Sequence, residues 1–140
     1  MSTEQNKILA RRWLEEVINR MNLAAVDELF ATNLVDRAVP PGLAPDIESL
    51  KQLVSAYFNA FPDLQVTIED TIAEGDKVMT PLTWRGTHRG ELMGMPPTGK
   101  QVAFSGMESY RIADGKIVEI WAYSDNLGMF QQLGVIPPMG

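Results

Sequence analysis

The sequence predicts an α+β fold in which helices come first and an antiparallel sheet follows. Apolar residues recur at helical spacing as far as Phe61, and from Leu64 the period changes to two. Asp114-Gly115 then stands between two alternating runs as a tight hairpin turn, because Gly tolerates the positive φ that such a turn needs. Helices followed by strands, rather than alternating with them, specify helices packed on one face of an antiparallel sheet.

The elements follow in order. Ser2-Thr3-Glu4-Gln5 has capping-box spacing, and Ile8, Leu9, Trp13, Val17 and Ile18 form one stripe, predicting an amphipathic helix to about Arg20. A short helix is expected around Leu23 to Phe30, then an extended segment from Asn33 to Val39 that Pro40-Pro41-Gly42 terminates. Asp46 is placed to cap a third helix carrying Ile47, Leu50, Leu53, Val54, Tyr57, Phe58 and Phe61. Strands are expected from Leu64 to Glu69, Lys77 to His88, Gln101 to Ala113 and Lys116 to Ser124, with Pro81 implying an edge or a bulge in the second of these. Asn126 is positioned to cap a last helical turn through Gln132.

Composition bounds the function. A length of 140 residues, with 45% hydrophobic and 21% charged, suits one packed domain, residues 1–140, without a linker or repeat. A net charge of −6 with no basic stripe opposes a nucleic-acid partner. No run approaches the roughly 20 apolar residues of a membrane span, and Met1-Ser2-Thr3-Glu4-Gln5 does not read as a signal peptide, so a cytoplasmic protein without a membrane partner is expected. With no cysteine and a single histidine, His88, there is no Cys-ligated zinc, His-rich metal site or thiolate nucleophile, and the expected metal set is none.

Gly94-Met95-Pro96-Pro97-Thr98-Gly99-Lys100 matches part of a phosphate-binding loop. However, Gln101 replaces the Ser or Thr that would hold magnesium, two prolines remove N–H donors, and a strand rather than a helix follows. A stiff loop beside a pocket is the expected reading. A serine triad lacks a nucleophile elbow.

Gly86-Thr87-His88-Arg89-Gly90, the run Gly94 to Lys100, Asp114-Gly115-Lys116-Ile117-Val118-Glu119-Ile120-Trp121, Asp125 and Gln132-Leu133-Gly134 together resemble the SnoaL-like polyketide (ester) cyclase family. The resemblance implies an NTF2-like cone, in which a curved antiparallel sheet wraps around the N-terminal helices and encloses an apolar pocket. It also implies acid/base catalysis without a cofactor by a lyase or isomerase, an intramolecular aldol condensation or isomerisation in which an aspartate near the end of the last strand is the base. The matching residue is Asp125.

In an apolar cavity a carboxylate is raised toward operating pH and can take and return a proton, whereas as a helix cap Asp125 would be purely structural. His88 is the candidate helper, stabilising an oxyanion or orienting Asp125, or else a structural histidine at a strand end. Trp121 and Tyr123 share Asp125's parity, so all three would face the cavity together. Trp13, Phe58, Trp84, Phe104, Met107 and Met129 complete the expected substrate-binding wall around an apolar small-molecule ligand. Asp36-Arg37 departs from the Asp-His found in relatives, with Arg37 expected in solvent. Two alternatives remain: an epoxide-opening hydrolase, which needs an arginine such as Arg85 or Arg111 in the cavity, and a non-catalytic ligand-binding or dimerisation module. An exposed sheet face and the Pro137-Pro138 tail make a homodimer or higher homo-oligomer the expected assembly.

Overall fold

The computed structural model describes residues 2–137, so Pro138 of the expected tail lies outside the described residues. Helix α1 (Thr3–Arg12) opens on the expected capping box: Ser2 Oγ accepts the Gln5 amide and Gln5 Oε1 accepts the Ser2 amide. It widens into a π-helical stretch, Trp13–Asn19, that turns Trp13, Leu14, Val17 and Ile18 into the core together. A 3₁₀ turn (Leu23–Ala25) leads into α2 (Val26–Leu29) and strand β1 (Phe30–Asp36). Asp46 caps α3 (Ile47–Ala60) by accepting the Ser49 amide.

The remaining chain forms β2 (Gln65–Ile68), β3 (Ile72–Glu74), β4 (Lys77–Thr87), β5 (Gln101–Ala113) and β6 (Lys116–Ser124), then α4 (Asn126–Leu133). Asp114 and Gly115 both take positive φ, 50° and 75°, which matches the twist of a two-residue hairpin between β5 and β6. The three-residue strand β3 was not foreseen; it is too short for its alternation to register.

One six-stranded sheet runs in the order β1-β6-β5-β4-β2, with β3 also on β4, and it curves around the N-terminal helices without closing. The expected antiparallel sheet is in fact mixed. β1, laid down before the meander, sits at the sheet edge and pairs parallel with β6, the last strand. Pro81 is neither at an edge strand nor in a bulge: β4 is central, and Pro81 falls where the neighbour changes from β3, paired as far as Met79, to β2, paired from Leu82. Its missing N–H therefore costs no ladder bond, and its carbonyl still accepts the Glu69 amide.

The core lies between the helices and the concave face of the sheet. Even-numbered residues of β5 point inward, with Val102, Phe104, Glu108, Tyr110 and Ile112 all buried. A register shift beside Arg111 changes the parity relation in β6, where Ile117 and Ile120 are the buried residues.

Candidate active site

An apolar cavity of about 520 Å³ opens between the π-helical stretch, α3 and the concave sheet. That size suits a drug-sized organic molecule. Trp13, Phe58, Trp84 and Phe104 line it, joined by Tyr57 of α3 and by Met93, Pro40 and Pro41 from loops. Gly106 makes the wall possible: a Cβ there would lie 2.8 Å from Trp84 Nε1, so only glycine lets the indole lie flat against the strand.

Two carboxyl groups face this cavity, Asp36 at the end of β1 and Glu108 in mid-β5. Glu108 is almost wholly buried, and its Oε1 accepts Trp13 Nε1–H at 2.9 Å and the Tyr110 hydroxyl at 2.7 Å. Tyr110 in turn lies 3.1 Å from Thr80 Oγ1. Burial pushes the Glu108 carboxyl up from its ordinary range; the Trp13 and Tyr110 hydrogen bonds oppose this, and the charge of Asp36 adds to it. Asp36 is also raised by burial, while the Ala38 amide, donating to Oδ1 at 3.0 Å, holds it back. An apolar site with two upward-shifted carboxyls is equipped to take up and return protons. Among the described residues, no group of three or more Asp, Glu or His is placed to hold a metal ion.

The other expected site residues stand elsewhere. Trp121 and Tyr123 do share Asp125's parity, but that parity faces outward; Ile120, Ala122 and Ser124 are the residues that line the cavity. Trp121, Tyr123 and Met107 instead border a shallow groove on the convex face with Lys77, Met79 and Ser109. Strand alternation fixes relative but not absolute facing, and the face was assigned from Asp125. Asp125 itself is exposed and is the N-cap of α4, its Oδ1 accepting the Gly128 amide at 2.9 Å. Its neighbours Ser124 and Asn126 line the cavity, which places Asp125 at the rim. Asn126, expected as the cap, is the first residue of the helix instead.

His88 is fully buried at the end of β4, away from the cavity lining, with its ring 5.8 Å from that of Phe61. Its Nδ1 accepts the Thr98 amide, its own amide donates to Lys100 O, and its carbonyl accepts Gly99 N–H, so it fastens the two ends of the loop between β4 and β5. The structure does not bring it to Asp125. Met129 is buried in the core rather than in the lining.

Arg37 is half exposed as expected, yet paired with Glu119 at 2.9 Å, which also binds Arg111. Arg85 reaches outward to Thr67 Oγ1. No arginine is among the described lining residues, which removes the group an epoxide-opening site would need. Sequence reasoning missed Glu108, although the signal was present: it is the one charged residue on the inward parity of an otherwise apolar strand.

Comparison with known proteins agrees with this architecture. Residues 8–133 match the family model described as SnoaL-like polyketide cyclase. The nogalonic acid methyl ester cyclase of Streptomyces nogalater is 37% identical over 111 residues, 78% of this chain and 83% of that protein. The aklanonic acid methyl ester cyclase DnrD of Streptomyces peucetius is 40% identical over 60 residues, 43% of this chain, and the match spans only 41% of that cyclase. Among solved structures, IdmH of Streptomyces antibioticus, a proposed polyketide cyclase, superposes with TM-score 0.81 at 34% identity, covering 93% of this chain and 99% of that one. AclR of Streptomyces galilaeus, a proposed hydroxylase, gives TM-score 0.88 at 29% identity, covering 99% of this chain and 87% of that one.

Proposed function

Because the chain belongs to the SnoaL-like polyketide cyclase family, we propose that it closes a ring on an apolar, carbonyl-bearing polyketide by cofactor-free acid/base catalysis, with the cavity carboxyls as the proton-transfer groups. The observation that carries this reading is that Asp36 and Glu108 face one apolar cavity and are both raised by burial. The cavity walls hold the flexible substrate folded, and a carbon acid flanked by carbonyls gives up its proton to a carboxylate of this kind.

A second reading keeps Asp125 as the base. It is favoured by the rim position between two lining residues, and by the oxygen that the Gly128 amide leaves free. Incubation with nogalonic acid methyl ester separates the two. Loss of ring closure in Asp36→Asn and Glu108→Gln, with Asp125→Asn retaining it, supports the cavity carboxyls, whereas the opposite pattern selects Asp125.

The protein is further proposed to act in the cytoplasm as a homodimer. No described helix is long and apolar enough to cross a membrane. The convex groove, with Met79, Met107 and Tyr123 exposed, supplies an apolar face for a second copy. Size-exclusion chromatography with light scattering tests the dimer: a monomer at micromolar concentration contradicts it.

A further inference from the structure

Resting on the cyclase reading, we propose that Glu108 is the acid of the site, delivering a proton from Oε2 to the substrate oxygen that becomes charged on ring closure. In this scheme Trp13, Tyr110 and Thr80 are the positioning groups that fix which oxygen carries that proton, and Asp36 is the base.

The geometry assigns the proton. An indole N–H can only donate, so the 2.9 Å contact from Trp13 makes Oε1 an acceptor. The Tyr110 hydroxyl donates to the same oxygen at 2.7 Å and can itself accept from Thr80 Oγ1, 3.1 Å away. Oε1, with two donors, is the carbonyl-type oxygen of the neutral carboxyl. The proton then sits on Oε2, which has no hydrogen-bond partner among the described residues and belongs to a cavity-lining side chain. Tyr110 and Thr80 are fully buried, and Trp13 is 2% exposed, so water does not compete for these contacts. Asp36, the second carboxyl facing the cavity, takes a single donor, the Ala38 amide on Oδ1, and is the group left to accept the carbon-bound proton.

The reaction balances with these groups alone. Asp36 takes the proton from a carbon between two carbonyls, and the C–H pair becomes an enolate. The enolate carbon adds to a second carbonyl carbon, so one C–C bond forms as a C=O π bond breaks. The resulting alkoxide oxygen takes the Oε2 proton, and transfer from protonated Asp36 to Glu108 restores the starting state.

The test has a substrate-free arm and a kinetic arm. In protein carrying ¹³C-carboxyl glutamate, the Glu108 signal, assigned by its disappearance in Glu108→Gln, is followed against pH. It should titrate above the ordinary glutamate range, and Tyr110→Phe, which removes a bond favouring the charged form, should move it further up. Titration in the ordinary range, or a midpoint indifferent to Tyr110→Phe, overturns the proposal.

With nogalonic acid methyl ester in D₂O, Glu108→Gln should slow ring closure by about 100-fold or more while α-carbon deuterium exchange stays within a few-fold. Equal loss of both steps, or of neither, overturns it. If wild-type protein neither exchanges nor cyclises this ester, the cyclase reading loses its support, while the titration still judges the positioning groups.

Discussion

Trp13 and Glu108 lie 95 positions apart in the chain, yet Trp13 Nε1 donates to Glu108 Oε1 at 2.9 Å across the cavity wall. The contact joins the π-helical stretch to the middle of β5. It also orients one of the two carboxyls that face the pocket. The Trp13 ring is held from the other side by Phe30, edge-on with centroids 5.1 Å apart, so the donor has little freedom to turn away.

Trp13→Phe keeps most of the ring and deletes the donor. A buried acceptor losing one of two partners should cost about 1–2 kcal/mol in urea unfolding. Trp13→Ala adds a cavity, and should cost about 3–5 kcal/mol. A Trp13→Phe variant as stable as wild type would show that the hydrogen bond contributes nothing.

The raised Glu108 carboxyl should make stability fall as pH rises. A carboxyl with a folded pKa above its unfolded value, here about 4.5, holds its proton more tightly when folded. Its contribution is complete below the unfolded pKa and is lost as pH climbs through the folded one. Asp63, lowered first by its hydrogen bond from the Thr87 hydroxyl, and Glu119, lowered first by Arg111, work in the opposite sense. The difference in Tm between Glu108→Gln and wild type cancels their effects. It should grow in favour of the variant as pH rises above about 4.5, at about 4 °C per kcal/mol for a chain this size. A difference that stays flat with pH would contradict the buried, raised carboxyl.

Asp125→Ala should cost about 1 kcal/mol through loss of the α4 cap. Gly128→Ala should imitate it, since a Cβ there would lie 2.2 Å from Asp125 Oδ2 and displace the capping side chain. Thermal melts check the stability, and ring-closure rates should stay within a few-fold of wild type in both.

Gly106→Ala should weaken ligand binding more than folding. The new methyl meets the Trp84 ring edge rather than backbone at its nearest contact, so the indole is pushed into the cavity it lines. Calorimetric titration with nogalonic acid methyl ester should show affinity reduced by roughly 10-fold or more, equivalent to about 1.4 kcal/mol. Unchanged affinity with an unchanged melt would mean that the ligand does not use this wall.

Much of the fold was legible because local signals agreed with one another. The capping box at Ser2, the Asp46 cap, the Asp114-Gly115 turn and the bounds of β5 and β6 each follow from one local signal, and each occurs as read. The parallel pairing of β1 with β6 was not legible, because a contact between residues such as Asp36 and Ile120 leaves no trace in local periodicity. In the site, Trp13, Phe58, Trp84 and Phe104 line the cavity, and their apolar bulk was the signal that singled them out in the sequence.

Facing was the weak point. Taking Asp125 as inward carried Trp121 and Tyr123 with it to the wrong side, whereas Glu108, on the same inward parity as Phe104 and Tyr110, marked the true concave face. His88 showed why a lone histidine is ambiguous: its hydrogen bonds to Thr98, Gly99 and Lys100 serve a loop, and sequence alone does not distinguish that from catalysis.

The central claim is that proton abstraction occurs inside the cavity, at Asp36, rather than at the rim. The direct measurement is the rate of deuterium incorporation at the α-carbon of nogalonic acid methyl ester in D₂O, compared among wild type, Asp36→Asn and Asp125→Asn. The account predicts a loss of about 100-fold or more in Asp36→Asn and a change within a few-fold in Asp125→Asn. Exchange that survives in Asp36→Asn and collapses in Asp125→Asn would contradict it.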